Sequence, residues 1–139
     1  MPIEDLARND TVTADPETPA TELAATMDRK EVGSIVITDD ERPIGIVTDR
    51  DLTTRVLANG TAPGEQPAKE IMTEDLCTAD PDAGFYEAAS MMADHGIRRL
   101  PICENGTLLG IITADDMTEL LVDEQQQFGA VIEEQRPEY

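Results

Sequence analysis

Apolar positions recur along the chain in a pattern that predicts the same five elements twice. A short strand is expected around Val12 and again around Cys77, each followed by an Asp-Pro turn. A helix of about 12 residues follows, because apolar side chains fall at helical spacing; in the first copy these are Ala20, Leu23, Ala24 and Met27. Two β-branched runs then predict a strand pair, at 34–38 and 44–48 in the first copy and at 100–103 and 108–113 in the second. Helices at about 49–58 and 114–122 close the two copies.

The two copies form an internal repeat with an offset of 65 residues. Residues 2–53 align with residues 67–118 without a gap, and 15 of the 52 pairs are identical, whereas average composition would give roughly four. One copy alone would leave an apolar face of its sheet uncovered, so the two must pack together. Clefts between them are natural places for a small ligand.

The composition shows a strongly acidic chain. It has 30 Asp and Glu against 10 Lys and Arg, a formal charge of −20, so a nucleic-acid partner is excluded and an anionic membrane surface is disfavoured. The acids are spread along the chain, which favours adaptation to high salt, where self-repulsion is screened. An ordinary acidic cytosolic protein remains the alternative. Aromatic residues are only 3%, so the core must consist of aliphatic side chains and Met.

No targeting or metal-binding motif is evident. The N-terminal residues lack the basic start and apolar core of a signal peptide, and no apolar run approaches the ~20 residues that span a bilayer, so a cytoplasmic location is expected. Cys77 and Cys103 are too far apart for a CxxC motif and cannot complete a zinc site by themselves. They are predicted to be buried free thiols.

The strongest local motif is the segment 45–51, Gly-Ile-Val-Thr-Asp-Arg-Asp, with its counterpart at 110–116. Thr48 and Asp51 have the spacing of a capping box at the start of a helix. The same residue types also suit a nucleoside, because a carboxylate can accept both hydroxyls of a vicinal diol and a helix N-terminus favours phosphate. The sequence leaves both interpretations open.

The whole pattern resembles a pair of CBS domains, the repeat named from cystathionine beta-synthase. The resemblance covers residues 2–122 and depends on the duplicated order of elements, the Thr-Ala-Asp-Pro segments at 13–16 and 78–81, the segment 97–102 and the two G-h-h-T-x-x-D motifs. It implies an α+β fold in which two β-α-β-β-α repeats pack their three-stranded sheets against each other with helices outside. It also implies adenosyl ligands in the clefts, namely AMP, ADP, ATP or S-adenosylmethionine, in a module that senses and regulates.

The resemblance assigns site residues by position. Asp51 and Asp116 would hold ribose hydroxyls, and Thr48 and Thr113 would contact ribose or phosphate. By the same resemblance, phosphate would be met by Arg50, Arg98 and Arg99. The adenine pockets would be lined by the backbone at Val12 and Cys77. Their apolar neighbours would be Ile35 and Leu100. The three arginines could instead be solvated surface charges. Asp115 stands where the first copy has Arg50 and would repel a phosphate, so the two clefts are expected to be unequal.

These observations predict a stand-alone regulatory module of a halophilic archaeon that acts on an unknown protein. The expected divisions are 1–60 for the first repeat, 61–66 for a linker, 67–122 for the second repeat and 123–139 for an acidic polar tail. A homodimer is expected, because apolar helix faces should stay uncovered in one copy, with Ile71, Met72, Met117 and Leu121 among them. A ligand-free structural or dimerisation module is the alternative. An enzyme is not expected, because the acids lack a catalytic His or general-base constellation nearby.

Overall fold

A computed structural model describes residues 2–7, 11–74 and 76–135. Its first half follows the predicted order with small shifts of the boundaries. A short 3-10 turn precedes the strands and helices β1 (Thr13–Ala14), α1 (Ala20–Lys30), β2 (Ser34–Asp39), β3 (Arg42–Thr48) and α2 (Asp49–Asp51). The last of these continues as a π-helix over Leu52–Leu57. Strand β2 is central, pairing in parallel with β1 and antiparallel with β3.

The second half repeats this order with one difference in its sheet. After a 3-10 turn at Pro63–Glu65 come α3 (Ala68–Ile71), α4 (Phe85–His95), β4 (Arg99–Glu104), β5 (Thr107–Thr113) and α5 (Ala114–Gln135). The α+β fold of two repeats is therefore confirmed, but the second sheet has two strands and not the predicted three. The strand expected near Cys77 is reduced to a single parallel bridge between Ala79 and Ile102, with Ala79 N–H donating to Pro101 O at 3.0 Å.

Both strand pairs are tight hairpins with a shared irregularity. The register shifts between Ile37 and Thr38 in the first pair, and at the equivalent place in the second. The turn residues Asn105 and Gly106 have φ values of 53° and 81°. Asn-Gly is the usual sequence for a turn with two left-handed residues. Asp40 and Glu41 adopt the same left-handed backbone, with φ values of 53° and 67°.

The segment leading into each repeat packs on the other repeat. Ile3 is fully buried in the second core, and its N–H donates to Ala83 O at 2.9 Å. Ala68, its equivalent 65 residues later, is fully buried in the first core and donates to Thr18 O at 2.8 Å. This exchange ties the two repeats together with a twofold relationship that follows the sequence repeat.

Each repeat has its own aliphatic core between sheet and helices. Side chains that alternate along the strands, such as Ile35 and Leu100, face these cores. The two sheets meet along β3 and β5, where Leu108 N–H donates to Glu41 O at 3.2 Å. Positions on the other face of the sheets therefore lie between the repeats, where a ligand cleft is possible.

Two sequence-based expectations about helices are wrong. Helix α5 was predicted to end near residue 122 but continues to Gln135. The residues after 122 include Ala, Glu and Gln, which favour helix, and no proline lies between 122 and 135. Ile71 and Met117 were expected on uncovered helix faces, yet both are buried within the chain. Of that group Leu121 is the exposed one, at 52%.

Candidate functional site

A cleft of about 500 Å³ lies between the two repeats. Its first wall comes from the start of β1 and from the turn that joins α1 to β2. Its second wall comes from the facing strands of the second repeat and the start of α5. The lining residues are Thr11, Val12, Lys30, Glu31, Val32, Gly33, Ser34 and Val36 on the first wall, and Arg99, Ile111, Thr113 and Asp115 on the second.

Two cations without ion pairs face this cleft from opposite walls. Of the eight Lys and Arg residues that the structure describes, three form ion pairs with carboxylates, namely Arg55, Lys69 and Arg98. Lys30 and Arg99 make no ion pair or hydrogen bond within the described part of the chain, and both line the cleft. In a chain of charge −20, two such cations on the walls of one cleft are a feature that the overall composition does not predict.

The cleft also carries two carboxylates at its rim. Asp115 is neutralised by Arg98, whose Nη2 lies 2.9 Å from Asp115 Oδ1, and both side chains are largely exposed. Arg98 was predicted to meet phosphate, but it occupies this surface pair and is not among the lining residues. Glu31, the second carboxylate, ends α1 in a left-handed conformation with φ of 54°.

Thr113 and Asp116 mark the start of α5 beside the cleft. Thr113 lines the cleft, and its hydroxyl accepts a hydrogen bond from Asp116 N–H at 3.1 Å. The N-terminus of this 22-residue helix lies at the same end, and its dipole favours an anion there. Of the two residues that the motif predicted in the second repeat, Thr113 therefore lines the cleft and pairs with Arg99 across the hairpin, and Asp116 lies one helical turn behind it.

The equivalent residues of the first repeat form a complete capping box. Thr48 Oγ1 accepts from Asp51 N–H at 3.3 Å, and Asp51 Oδ2 accepts from Thr48 N–H at 2.8 Å. The other Asp51 oxygen lies 3.7 Å from Arg55 Nε. Arg50 is exposed and, like Thr48 and Asp51, does not line the cleft described above.

The four residues that were expected around adenine lie in different surroundings. Val12 lines the cleft, whereas Ile35 and Leu100 are buried on the opposite face of their strands, and Cys77 packs against the second core. Their neighbours Val36 and Ile111 supply the apolar walls instead. The sequence could not separate these faces, because every position from 35 to 37 is apolar.

Several lining residues were missed by the sequence analysis, Lys30 and Gly33 among them. Their positions in the sequence could have indicated them, since Lys30 ends the first helix and Gly33 follows in the turn that leads to the central strand. A Cβ atom on Gly33 would lie 3.3 Å from Arg99 Nη2. Asp49 Oδ2 would lie 3.4 Å from the same Cβ atom, so Gly33 leaves space for the ends of both side chains.

The pKa values of Cys103 and Lys69 are shifted, and neither group lines the cleft. Burial raises the pKa of the Cys103 thiol above its ordinary value. The pKa of Lys69 is also raised, by a hydrogen bond to Glu17 Oε1 at 2.7 Å. Among the described residues no cluster of His, Cys, Asp and Glu could hold a metal ion, and no helix is long and apolar enough to cross a membrane.

Comparison with protein families decides the identity of the fold. The model described as "CBS domain" matches twice, over residues 3–58 and 68–123. The chain belongs to the CBS-domain family. CBS pairs that stand alone are typically regulatory and not catalytic, they often bind adenosyl ligands, and they often form dimers.

Relatives of this CBS pair occur in archaea and bacteria. An uncharacterized protein of Methanopyrus kandleri is 37% identical over 139 residues, which cover 99% of this chain and 69% of the relative. Hypoxic Response Protein I, solved with two coordinated zinc ions, is 28% identical with a TM-score of 0.77, covering 86% of this chain and 98% of that one. The CBS pair of protein MJ0100, solved with 5′-methylthioadenosine and S-adenosyl-L-methionine, is 22% identical with a TM-score of 0.80, covering 89% and 98%.

Proposed function

We propose that this CBS pair is a regulatory module that binds an adenosyl ligand with an anionic end in the cleft between its repeats. The observation that carries the proposal is the placement of Lys30 and Arg99 on opposite walls of one cleft, where neither forms an ion pair within residues 2–7, 11–74 and 76–135. A chain with 30 acids has ample carboxylates for these two side chains, yet neither forms an ion pair among the described residues. An anionic ligand group would supply the missing counter-charge.

The remaining lining residues suit the other parts of such a ligand. Val36 and Ile111 offer apolar walls for an adenine ring, and the backbone at Val12 can hydrogen-bond its edge. The Asp116 carboxylate, one helical turn from Thr113, is the proposed acceptor for the ribose hydroxyls. The phosphate or carboxylate end would lie between the two cations and the first turn of α5. AMP, ADP, ATP and S-adenosylmethionine all carry these three parts.

Regulation would follow from the position of the cleft. Lys30 belongs to the first repeat and Arg99 to the second, so one anionic group between them links the repeats. Binding to the folded state raises the free energy of unfolding by RT ln(1 + [L]/Kd), which is about 2.7 kcal/mol when the ligand concentration is 100 times Kd. The ligand would thereby favour one arrangement of the repeats, which a partner protein, still to be identified, can recognise.

A thermal-shift series tests this function. The melting temperature should rise with at least one of AMP, ADP, ATP and S-adenosylmethionine, measured at the lowest salt that keeps the protein folded, because salt screens the cations. Lys30→Gln and Arg99→Gln should each weaken that ligand by roughly 10- to 150-fold, the equivalent of 1.5 to 3 kcal/mol for a charged hydrogen bond.

Arg29→Gln is the matched control, since Arg29 lies next to Lys30, does not line the cleft and forms no ion pair in the part of the chain that the structure describes. It should leave the affinity within about twofold of wild type. Equal losses in Arg29→Gln and Lys30→Gln would mean that only overall charge matters and would refute the assigned site. No shift with any of the four compounds would favour a ligand-free structural module.

We also propose that the protein works in the cytoplasm of a salt-rich cell. The support is the net charge of −20, which is spread over both repeats and not confined to one tail. In molar salt the Debye length falls to about 3 Å, so repulsion between these carboxylates is largely screened.

A further inference from the structure

At Gly33 the two repeats bring opposite charges to the same point beside the cleft. Gly33 O accepts Asp49 N–H at 3.1 Å, so the start of α2 is held next to the turn between α1 and β2. The position of a Cβ atom on Gly33 lies 3.3 Å from Arg99 Nη2 and 3.4 Å from Asp49 Oδ2. The guanidinium of the second repeat and the carboxylate of the first therefore approach each other there.

The two oxygens of the Asp49 carboxylate have different surroundings. Asp49 Oδ1 accepts Arg50 N–H at 2.9 Å, whereas Oδ2 is the oxygen beside Gly33. Asp49 and Arg99 are not close enough for an ion pair in the part of the chain that the structure describes. Arg99 thus keeps its guanidinium for the cleft, but a negative charge lies beside it.

The second repeat builds the same turn without these charges. Across the offset of 65 residues, Asp49 corresponds to Ala114 and Arg99 corresponds to Ser34. The backbone hydrogen bond is kept, because Ala114 N–H donates to Arg98 O at 2.8 Å. Since the turn forms without an acid at this position, its backbone geometry does not explain the Asp49 carboxylate.

The charges around the cleft sum to about zero. Four charged side chains line it, two of each sign, and they are Lys30, Glu31, Arg99 and Asp115. Outside this lining, Arg98 is paired with Asp115, and Asp49 lies beside Arg99, which adds one charge of each sign. The cleft therefore has no excess of cations, and it belongs to a chain of formal charge −20.

A ligand end with several negative charges would be repelled in such a cleft. Two like charges about 7 Å apart in water weaken binding by a factor of about two to three before screening. The phosphate of AMP carries roughly two negative charges at neutral pH, and each further phosphate of ATP adds about one more. The carboxylate of S-adenosylmethionine is balanced by its own ammonium group. The three compounds thus differ in the property to which this cleft is most sensitive.

We propose that the cleft selects adenosyl ligands whose end carries at most the charge of one phosphate, about −2, and that Asp49 is the residue that sets this limit. A monophosphate or an amino-acid carboxylate can pair with Lys30 and Arg99, whereas a triphosphate brings further charges close to Asp49. The proposal rests on the proposed function, because it specifies the class of ligand that the same cleft accepts.

Calorimetric titration of AMP and ATP, with EDTA and at the lowest salt that keeps the protein folded, tests this selectivity. Wild type should bind AMP at least about threefold more tightly than ATP. Asp49→Asn should reduce this preference about threefold, because ATP brings about two more charges near residue 49 and partial screening lowers their effect. The asparagine oxygen can still accept Arg50 N–H, so the start of α2 is retained.

Asp39→Asn is the matched control, because it removes the same charge from the other end of β2. Asp39 is about 16 Å from Ser34 at roughly 3.3 Å per residue, and this exceeds the Debye length of about 10 Å at 0.1 M salt. The control should leave the ratio of the two affinities unchanged. Equal changes in Asp49→Asn and Asp39→Asn would show that only overall charge matters and would overturn the proposal.

The salt dependence separates charge from shape. In molar KCl the Debye length is about 3 Å, so the preference for AMP should shrink. A preference that is equally large in molar KCl, tighter binding of ATP than of AMP by wild type, or an unchanged ratio in Asp49→Asn would each overturn the selectivity while leaving adenosyl binding intact. If AMP, ATP and S-adenosylmethionine all fail to bind, the proposed function itself is refuted.

Discussion

Gly45, the glycine that opens the first G-h-h-T motif, lies directly against Met72. A Cβ atom at this position would overlap Met72 Sδ and lie 2.7 Å from Cγ and 3.0 Å from Cβ. Met72 cannot withdraw easily, because the next residue, Thr73, exchanges two backbone hydrogen bonds with Ile46, at 3.1 and 2.9 Å. We therefore expect Gly45→Ala to destabilise the fold and Met72→Ala to relieve part of that cost.

The size of the effect follows from overpacking. An added methyl group in a packed interior costs about 1–3 kcal/mol. Met72 is half-buried, so Met72→Ala should cost about 1–2 kcal/mol, less than the roughly 2–5 kcal/mol for a fully buried methionine. In the double variant the new methyl group occupies space that the methionine has left. Met72 Cβ remains 3.0 Å away, so the double variant should cost more than Met72→Ala alone but less than the sum of the two single variants, a coupling of at least about 0.5 kcal/mol between the two sites.

Urea and thermal unfolding of the four proteins measure this coupling. For a chain of this size 1 kcal/mol corresponds to about 4 °C in Tm, so Gly45→Ala should melt roughly 4–12 °C below wild type. Gly64→Ala is the control, since nothing lies within 4 Å of a Cβ atom there. A Gly45→Ala protein as stable as the control, or additive losses in the double variant, would refute the reasoning.

Three further predictions concern charge, the motif acids and the thiols. The melting temperature should rise from low to molar KCl, because ordinary surface ion pairs, at about 0–1 kcal/mol each, cannot offset a charge of −20; an unchanged value would contradict the high-salt interpretation. In calorimetric titrations, Asp116→Ala should weaken the affinity for the adenosyl ligand about 10- to 150-fold. Asp51→Ala should leave that affinity unchanged, and its melting curve should show a loss of about 0.5–2 kcal/mol of stability through its capping box. The reverse pattern would exchange the roles of the two residues. Cys103 should react with a thiol reagent much more slowly than Cys77 in the native protein, because burial blocks access and raises the pKa of Cys103. Because this pKa is higher in the folded than in the unfolded chain, stability should also fall as the pH rises above about 8.5. Equal reaction rates for the two thiols would contradict this account.

The twofold organisation was predictable because the sequence contains an internal repeat with an offset of 65 residues. Residues 65 positions apart make equivalent contacts, down to the hydrogen bonds of Ile3 and Ala68. That these contacts cross from one repeat to the other was not predictable, since backbone hydrogen bonds carry no residue signal. Likewise, Asn105 and Gly106 have the usual sequence of a tight turn, whereas Asp40 and Glu41 adopt the same backbone without that signal.

The site was predictable where chemistry depends on residue type and spacing. Thr113, Arg99 and Val12 were named in advance and line the cleft. Lys30 was missed, because a lysine that ends a helix is equally expected on a solvated surface. The capping box at Thr48 and the exposed pair formed by Arg98 give these residues structural contacts that do not depend on a ligand.

A crystal structure grown with the adenosyl compound that gives the largest thermal shift tests the central proposal most directly. We expect density for one adenosyl group between Val36 and Ile111, with its anionic end between Lys30 and Arg99. Density for the ligand elsewhere on the molecule, or an empty cleft at a saturating concentration of the compound, would contradict the account.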